Sequence, residues 1–420
     1  MRDRAAARLL AVLAAAAVVG ACGTMPGPRA AGEGALLGSA AVASGQDQDS
    51  GLSRRAVLPA GVGFLRIGLT LGAASVQIGL PPGSSIQGQV LGPGGILEVA
   101  AQGTGKALLT GPWGQAEQRL PLWIQPPVGS FLQHKGRLYG GLMEVLDAPD
   151  RPGSLTVVER VPLEQYLRGV VPAEIKASWH SEALRCQAVA ARTYACANVG
   201  RRAALGFDLM DTVSDQVYGG AGAAHPATDE AIRATEGVVL TWQDKPIEAY
   251  FHSSSGGETD DGLAVWGIDL PYLKGTVDID ASPNASWRVD LTPEGLRRGL
   301  QMLGLSCGMP EKFEIEARTP HGRARWLGVS GSQGSVRVDA NKLRLALGWR
   351  STRYGIAAVA SGWRLDGGGW GHGLGMSQWG AKAFAEAGMS AADILARYYP
   401  GARWTPPAEG GLGLTPLAVR

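Results

Sequence analysis

The chain has 420 residues, with 39 Lys and Arg against 37 Asp and Glu and a formal net charge of +2. Residues 1–21 hold Arg2, Arg4 and Arg8 against Asp3, so the rest of the chain is about neutral. That balance carries no basic excess of the kind that marks a nucleic-acid binder. Met1 to Cys22 reads as an export signal: three arginines, then a short apolar run from Leu9 to Val19 that is too short to span a bilayer. Val19-Gly20-Ala21-Cys22 resembles a bacterial lipobox, which would leave a lipidated Cys22 at the mature N-terminus and tether the protein to a membrane. The competing reading is ordinary signal cleavage nearby, with Cys22 lost or free. No later run is apolar enough for a membrane helix. Residues 23–55 are rich in Gly, Ala and Ser and read as a flexible linker.

Residues 56–127 contain short apolar runs broken by Gly and Pro (FLRIGL, SVQIGL, GILEVAA, QRLPLWI), the pattern of a β-rich accessory module. Pro126 and Pro127 mark a boundary to a larger mixed domain over 128–405, followed by a tail over 406–420. The expected fold class is α+β. RLYGGLMEVL and LTVVERV suggest a hairpin with DAPDRPG at its tip. Leu163 to Leu167 reads as a short amphipathic turn ending at Gly169. Pro172 disfavours helix before it, so Glu174 is expected after an extended segment. A long alanine-rich helix follows, with Ser178 or Ser181 as N-cap. Arg185 and Arg192 are seven residues apart and share a stripe of that helix with Val189 and Cys196. Cys186 and Cys196, roughly 15 Å apart on one helix, are too distant for a disulfide, and buried thiols are expected.

Further on, Thr228 to Thr235 reads as a helix and VVLTW as a strand. EAYFH is a strand ending in the Ser/Gly loop around Ser254, a way to bring small donors to a ligand. Residues 286–347 read as mixed, with a helix after Thr292-Pro293 and another at Asp339 to Leu347. Near the end, Ser377 can cap a helix that stops at Gly388, and Ser390 with Asp393 resembles a capping box. GGGWGHGLG satisfies neither nucleotide-loop pattern. It is either a tight glycine turn that exposes His372 or a loop whose backbone N–H groups approach a polar ligand. HSSSGG lacks the elbow of a serine hydrolase. The six histidines are scattered without HExxH or CxxC, which gives a metal site little support.

YLRGVVPAEI, SEALRCQAVAARTYA, SDQVYGG, AYFHSSSGGETDD, PYLKG, GWGHGLGMSQWGAKAFAEAG and ILARYYPG together resemble the sporulation stage II protein D family, which includes the amidase enhancers. The resemblance runs from Phe64 to Ala402, weak before Arg137 and strong after it. It implies a peptidoglycan lytic transglycosylase with one essential glutamate, acting on glycan strands stripped of stem peptides. Glu174 holds that glutamate's place. Arg185, Arg192, Tyr272 and Lys274 match the family's other site positions, and Ser254 and His372 are added as substrate-contacting candidates. Two nearby cations would lower the glutamate pKa, whereas an acid needs it raised. Some members carry His and Cys, able to bind zinc, where this chain has Ser214 and Asp215, so no metal or other cofactor is expected. The amidase-enhancer members imply a second reading: a non-catalytic binder of peptidoglycan that stimulates a cell-wall amidase. Either reading places the protein in the cell envelope, facing the periplasm or cell wall.

Overall fold

Strict alternation along SVQIGL turns Val76, Ile78 and Leu80 inward and their neighbours outward, so Ser75–Leu80 forms a strand with one buried face. The same period builds most of the β-rich region. The computed structural model describes residues 63–406. The expected signal, Cys22, the linker and the tail from residue 407 lie outside the described residues. The fold is α+β.

Two sheets dominate the first hundred described residues. One has six strands, ordered Arg137–Tyr139, Leu132–His134, Ser75–Leu80, Gly95–Ala101, Lys106–Gly111 and Gly114–Arg119. The other has seven. At its centre Phe64–Ala73 pairs antiparallel with Leu155–Pro162, which pairs with Leu142–Asp147. The hairpin expected from LMEVL and LTVVERV is therefore present, in the register Leu142 to Arg160 through Asp147 to Leu155. Arg137–Tyr139 is not part of it and pairs with Leu132–His134 instead. The expected boundary at Pro126-Pro127 does not separate two cores. Phe64–Ala73 lies before it and its partner after it, and both feed one continuous core that also holds the helices of the site.

Eight helices are present among the described residues: α1 (Leu163–Glu174), α2 (Ser181–Ala197), α3 (Pro226–Ala234), α4 (Gly262–Trp266), α5 (Pro293–Met302), α6 (Ala340–Leu347), α7 (Gln378–Glu386) and α8 (Ala391–Tyr398). The expectation for α1 is corrected. The chain stays helical from Leu163 through Pro172 to Glu174, rather than extended after Gly169. Proline removes one backbone donor and crowds the preceding turn. Burying Leu163, Tyr166, Leu167, Val170 and Val171 on one stripe outweighs that cost. Gly169 lets the helix approach its neighbour: a Cβ there would lie 2.4 Å from the Tyr218 ring and 2.7 Å from the Gly220 carbonyl. The α2 cap is also corrected. His180 is the N-cap, its ring accepting from Glu182 N–H, and Ser181 is the first helical residue.

Residues from Trp287 to Gly367 form a unit with its own core. It contains a sheet of Trp287–Leu291, Gly362–Gly367 and Tyr354–Val359, a sheet of Pro310–Arg318, Ala324–Gly331 and Gly334–Asp339, and α5 and α6. Thr292 and Asp339 cap the two helices through their side chains. The chain then returns to the first core. Phe251–His252 pairs in parallel with Met376–Ser377, which brings the Ser/Gly loop beside the start of α7. Ser377 caps α7 and Ser390 caps α8. Cys186, Cys196 and Cys307 are all buried free thiols.

Candidate functional site

Glu174 is the last residue of α1, where the helix dipole presents its negative end. Only 1% of the residue is exposed. Its Oε1 accepts from Val217 N–H at 2.8 Å, and Gln378 Nε2 donates toward its Oε2 at 3.5 Å. Gln378, the first residue of α7, also donates to Gln187 Oε1 on α2 at 3.3 Å. Four separate segments thus meet around this carboxyl, α1, the 211–220 loop and α7 directly and α2 through the Gln187–Gln378 bond. Burial pushes the Glu174 carboxyl up to about 7, with the Val217 and Gln378 donors pulling the other way. The two arginines expected beside it pair elsewhere, Arg185 with Glu182 and Arg192 with Glu164. A carboxyl in this state holds its proton near neutral pH and can also release it, the requirement for one group serving as acid and then base.

The 211–220 loop is held from several sides. Tyr166 donates through its hydroxyl to Gln216, whose side-chain amide donates to the Ala191 carbonyl. Tyr218 N–H donates to the Asp211 carbonyl, Gly219 N–H to the Gly169 carbonyl, and Arg137 to the Tyr218 carbonyl. These bonds fix the Val217 N–H that faces Glu174.

The other expected site residues have partners of their own. Gln187 joins the site through Gln378, and at about 100° per residue Arg185 and Arg192 lie roughly 200° and 140° round α2 from it. Arg192 is wholly buried. Its guanidinium makes a two-pronged pair with Glu164, both bonds 2.8 Å, and donates to Thr235 Oγ1 and to the carbonyls of Ile232 and Val238. It pins α2 to α1, α3 and the Val239–Trp242 strand. Arg185 is partly exposed and pairs with Glu182 at 2.5 Å. The Tyr272 hydroxyl accepts from Glu248 N–H, and its ring lies near Trp242. Lys274 pairs with Asp269 at 3.3 Å on the surface.

Ser254 is buried, donating to Asp280 Oδ2 at 2.5 Å. His372 is buried rather than exposed. Its Nδ1 accepts from Leu374 N–H, its Nε2 faces the Phe251 carbonyl, and burial holds its pKa at about 3, so the ring is neutral. The glycine turn folds inward because Gly373, with φ +84°, lies against the Arg323 guanidinium, where a Cβ would be 2.2 Å from Cζ.

Asp215 does not fit a zinc site. Its carboxylate accepts from Met210 N–H and Tyr194 hydroxyl and is paired with Arg201 and Arg202. His225 caps α3 and His252 is buried with Nδ1 against the Leu374 carbonyl, so neither supplements Asp215. Sequence reasoning missed Gln187, Gln378 and the Val217 N–H. The two glutamines had a signal: each is a polar residue inside an otherwise small or apolar run, CQAVAA and MSQWGA.

The Stage II sporulation protein family model matches residues 151–242, spanning the second hairpin strand, α1, α2, the 211–220 loop, α3 and the Val239–Trp242 strand. A domain of unknown function (DUF8618) matches residues 273–375, which include the unit with its own core. The chain is 34% identical over 270 residues to Stage II sporulation protein D of Bacillus amyloliquefaciens, covering 58% of this chain and 74% of that protein. It is 32% identical over 273 residues to an uncharacterized protein of Brachyspira hyodysenteriae, covering 63% and 71%. It is 32% identical over 290 residues to the amidase enhancer of Bacillus subtilis (strain 168), covering 57% of this chain but 40% of that longer protein. With a relative above 30% identity aligned over about three quarters of its length, and the matched segment carrying the Glu174 site, the chain belongs to the stage II sporulation protein D family.

Proposed function

We propose that this protein is a lytic transglycosylase that cleaves stem-peptide-free peptidoglycan glycan with Glu174 as its single acid and base. The observation that carries the reading is a buried carboxyl brought up to about 7 at the meeting point of four segments. The protonated carboxyl gives its proton to the glycosidic oxygen as the C1–O bond breaks. The resulting carboxylate takes the proton of the muramic acid C6 hydroxyl, whose oxygen closes on C1 to form the 1,6-anhydro ring. Water is not consumed, so the second carboxylate that ordinary glycosidases use has no task here. Arg185, Tyr272, Lys274, Ser254 and His372 keep a proposed part in holding the glycan, with His372 and Ser254 acting through the loop they brace. Arg192 is proposed to act only through the position of α2.

The protein is further proposed to be exported and held at the cell envelope through a lipid on Cys22. No described helix is long and apolar enough to cross a membrane. One observation favours a second reading, the non-catalytic amidase enhancer: the Glu174 carboxyl is almost wholly covered. The test is the product. Purified protein is incubated with stem-free glycan strands and the ends are identified by mass spectrometry. Anhydro-muramic ends from the wild type and none from Glu174→Gln support the transglycosylase. No anhydro ends, together with faster release of stem peptides when a cell-wall amidase is added, support the enhancer.

A further inference from the structure

The covered carboxyl has a partly open aromatic neighbour. Trp179 follows Glu174 by five residues and closes the turn before α2, its N–H donating to the Lys176 carbonyl at 3.0 Å. Trp379 is the residue after Gln378 on α7, and its N–H donates to the Ser253 carbonyl at 3.0 Å. The two indole rings lie 4.9 Å apart with planes at 59°. Both are half-buried. Their Nε1–H groups have no hydrogen-bond partner among the described residues, yet they are not among the sealed, unpartnered polar atoms. One turn further along α7, the Lys382 ammonium sits 5.6 Å from the Trp379 ring centroid. It also pairs with Glu386 at 2.6 Å, and its side chain is 20% exposed against 51% for Glu386.

An apolar ring surface with spare donors and an adjacent cation suits one kind of ligand. A pyranose ring presents a face of C–H bonds that packs on an indole, and its acetamido oxygen can accept from an indole N–H. The cation asks for an anionic substituent. In peptidoglycan that substituent is the lactyl group of N-acetylmuramic acid. It is a free carboxylate only when the stem peptide is gone, because the peptide bond to the stem replaces the charge with an amide.

We propose that Trp179, Trp379 and Lys382 form a subsite beside Glu174 that holds an N-acetylmuramic acid ring on the indoles and its lactyl carboxylate on the lysine. The subsite rests on the reading of Glu174 as a glycan acid, and it gives that reading a source of preference for stem-free strands. Lys382 exchanges its Glu386 partner for the lactyl carboxylate, so the charge pairing is kept rather than lost on binding.

The experiment measures binding, not cleavage. The mature chain carrying Glu174→Gln is titrated by calorimetry with stem-free glycan strands and, separately, with N-acetylglucosamine oligomers of matched length. Added Trp379→Ala is expected to weaken both ligands about tenfold, the loss of one good ring contact, while Trp379→Tyr retains most of the affinity and shows that the fold is intact. Added Lys382→Met is expected to weaken the stem-free glycan about fivefold, the upper range for an exposed charge pair, and to leave the N-acetylglucosamine oligomer unchanged. Unaltered binding by Trp379→Ala overturns the subsite. An equal effect of Lys382→Met on both ligands, or on neither, overturns the role given to the carboxylate. A wild type that cuts no glycan while the Glu174→Gln chain shows the expected binding pattern refutes the transglycosylase reading and leaves the subsite standing.

Discussion

Replacing Glu174 by glutamine makes a prediction about stability as well as about catalysis. Raising a carboxyl from 4.5 to about 7 corresponds to about 3 kcal/mol between its charged and neutral forms. The direction follows from where protons are bound. Below pH 4.5 the acid is protonated in both the folded and unfolded chains. Between 4.5 and about 7 the unfolded chain ionises while the folded one keeps its proton, so stability falls as pH rises. Above 7 the folded carboxyl is ionised too, and the full cost of a buried charge is present. Glutamine stays neutral throughout and keeps the size of the side chain. The Glu174→Gln chain is therefore expected to gain about 3 kcal/mol relative to wild type between pH 4.5 and 8.

Urea unfolding at several pH values, followed by tryptophan fluorescence, measures the difference. Glu159 is also buried and raised to about 7. It steepens the pH dependence of both chains and cancels in their difference. A difference that stays flat to within about 0.5 kcal/mol, the order of the extrapolation error, would falsify the buried acid, and with it the physical basis for Glu174 as proton donor. The same variant should release no anhydro ends from stem-free glycan.

The remaining predictions concern structure, metal and membrane. Arg192→Met should destabilise the protein by about 3 kcal/mol, because it leaves Glu164 and two carbonyls without their partner; in the folded fraction the KM for glycan should be unchanged, and a large rise in KM would show a substrate contact instead. Cleavage should survive exhaustive chelation with metal content checked by elemental analysis, since Asp215 is already held by Arg201 and Arg202; loss on stripping and recovery with stoichiometric zinc would contradict this. Cys22→Ser should shift the protein from membranes to a soluble or uncleaved pool, as read by fractionation and by mass spectrometry of the N-terminal peptide; an unchanged distribution would count against the lipid anchor.

How far the sequence could be read depended on whether the signal was local. Helix caps at Ser377 and Ser390 were legible because each lies within a few residues of the group it satisfies. The position of Glu174 was legible through its motif. The helix around Pro172 was not, because a local rule about proline lost to apolar burial that depends on the whole core. The arginine stripe was readable only in part. Helical spacing correctly puts Arg185 and Arg192 on one face of α2 but does not say which face meets Glu174. Only the folded packing shows that Arg192 is spent on Glu164, Thr235 and the carbonyls of Ile232 and Val238. The boundary at Pro126-Pro127 failed because strand pairing joins residues about ninety positions apart, which composition does not record.

The segment from Gln216 to Gly219 explains how a short helix end can hold a reactive acid. Its Val217 N–H reaches Glu174, its Tyr218 ring packs 4.9 Å from the Tyr166 ring, and a second buried acid, Glu159, lies on the central sheet. Glu159 in turn accepts from Gly141 N–H at 2.9 Å. Two buried carboxyls, both near 7, thus lie one in the helix layer and one in the sheet. Within the loop, Tyr218 N–H donates to the Asp211 carbonyl and Gly219 N–H to the Gly169 carbonyl, which sets the position of the donor that faces the acid. A backbone N–H held by its loop in this way needs no reorganisation when the carboxyl changes charge, and it stabilises the carboxylate formed after proton donation. Burial favours the acid form and this N–H favours the base form. Burial outweighs the donors, and the resulting value of about 7 keeps both forms accessible near neutral pH, as a group acting first as acid and then as base requires.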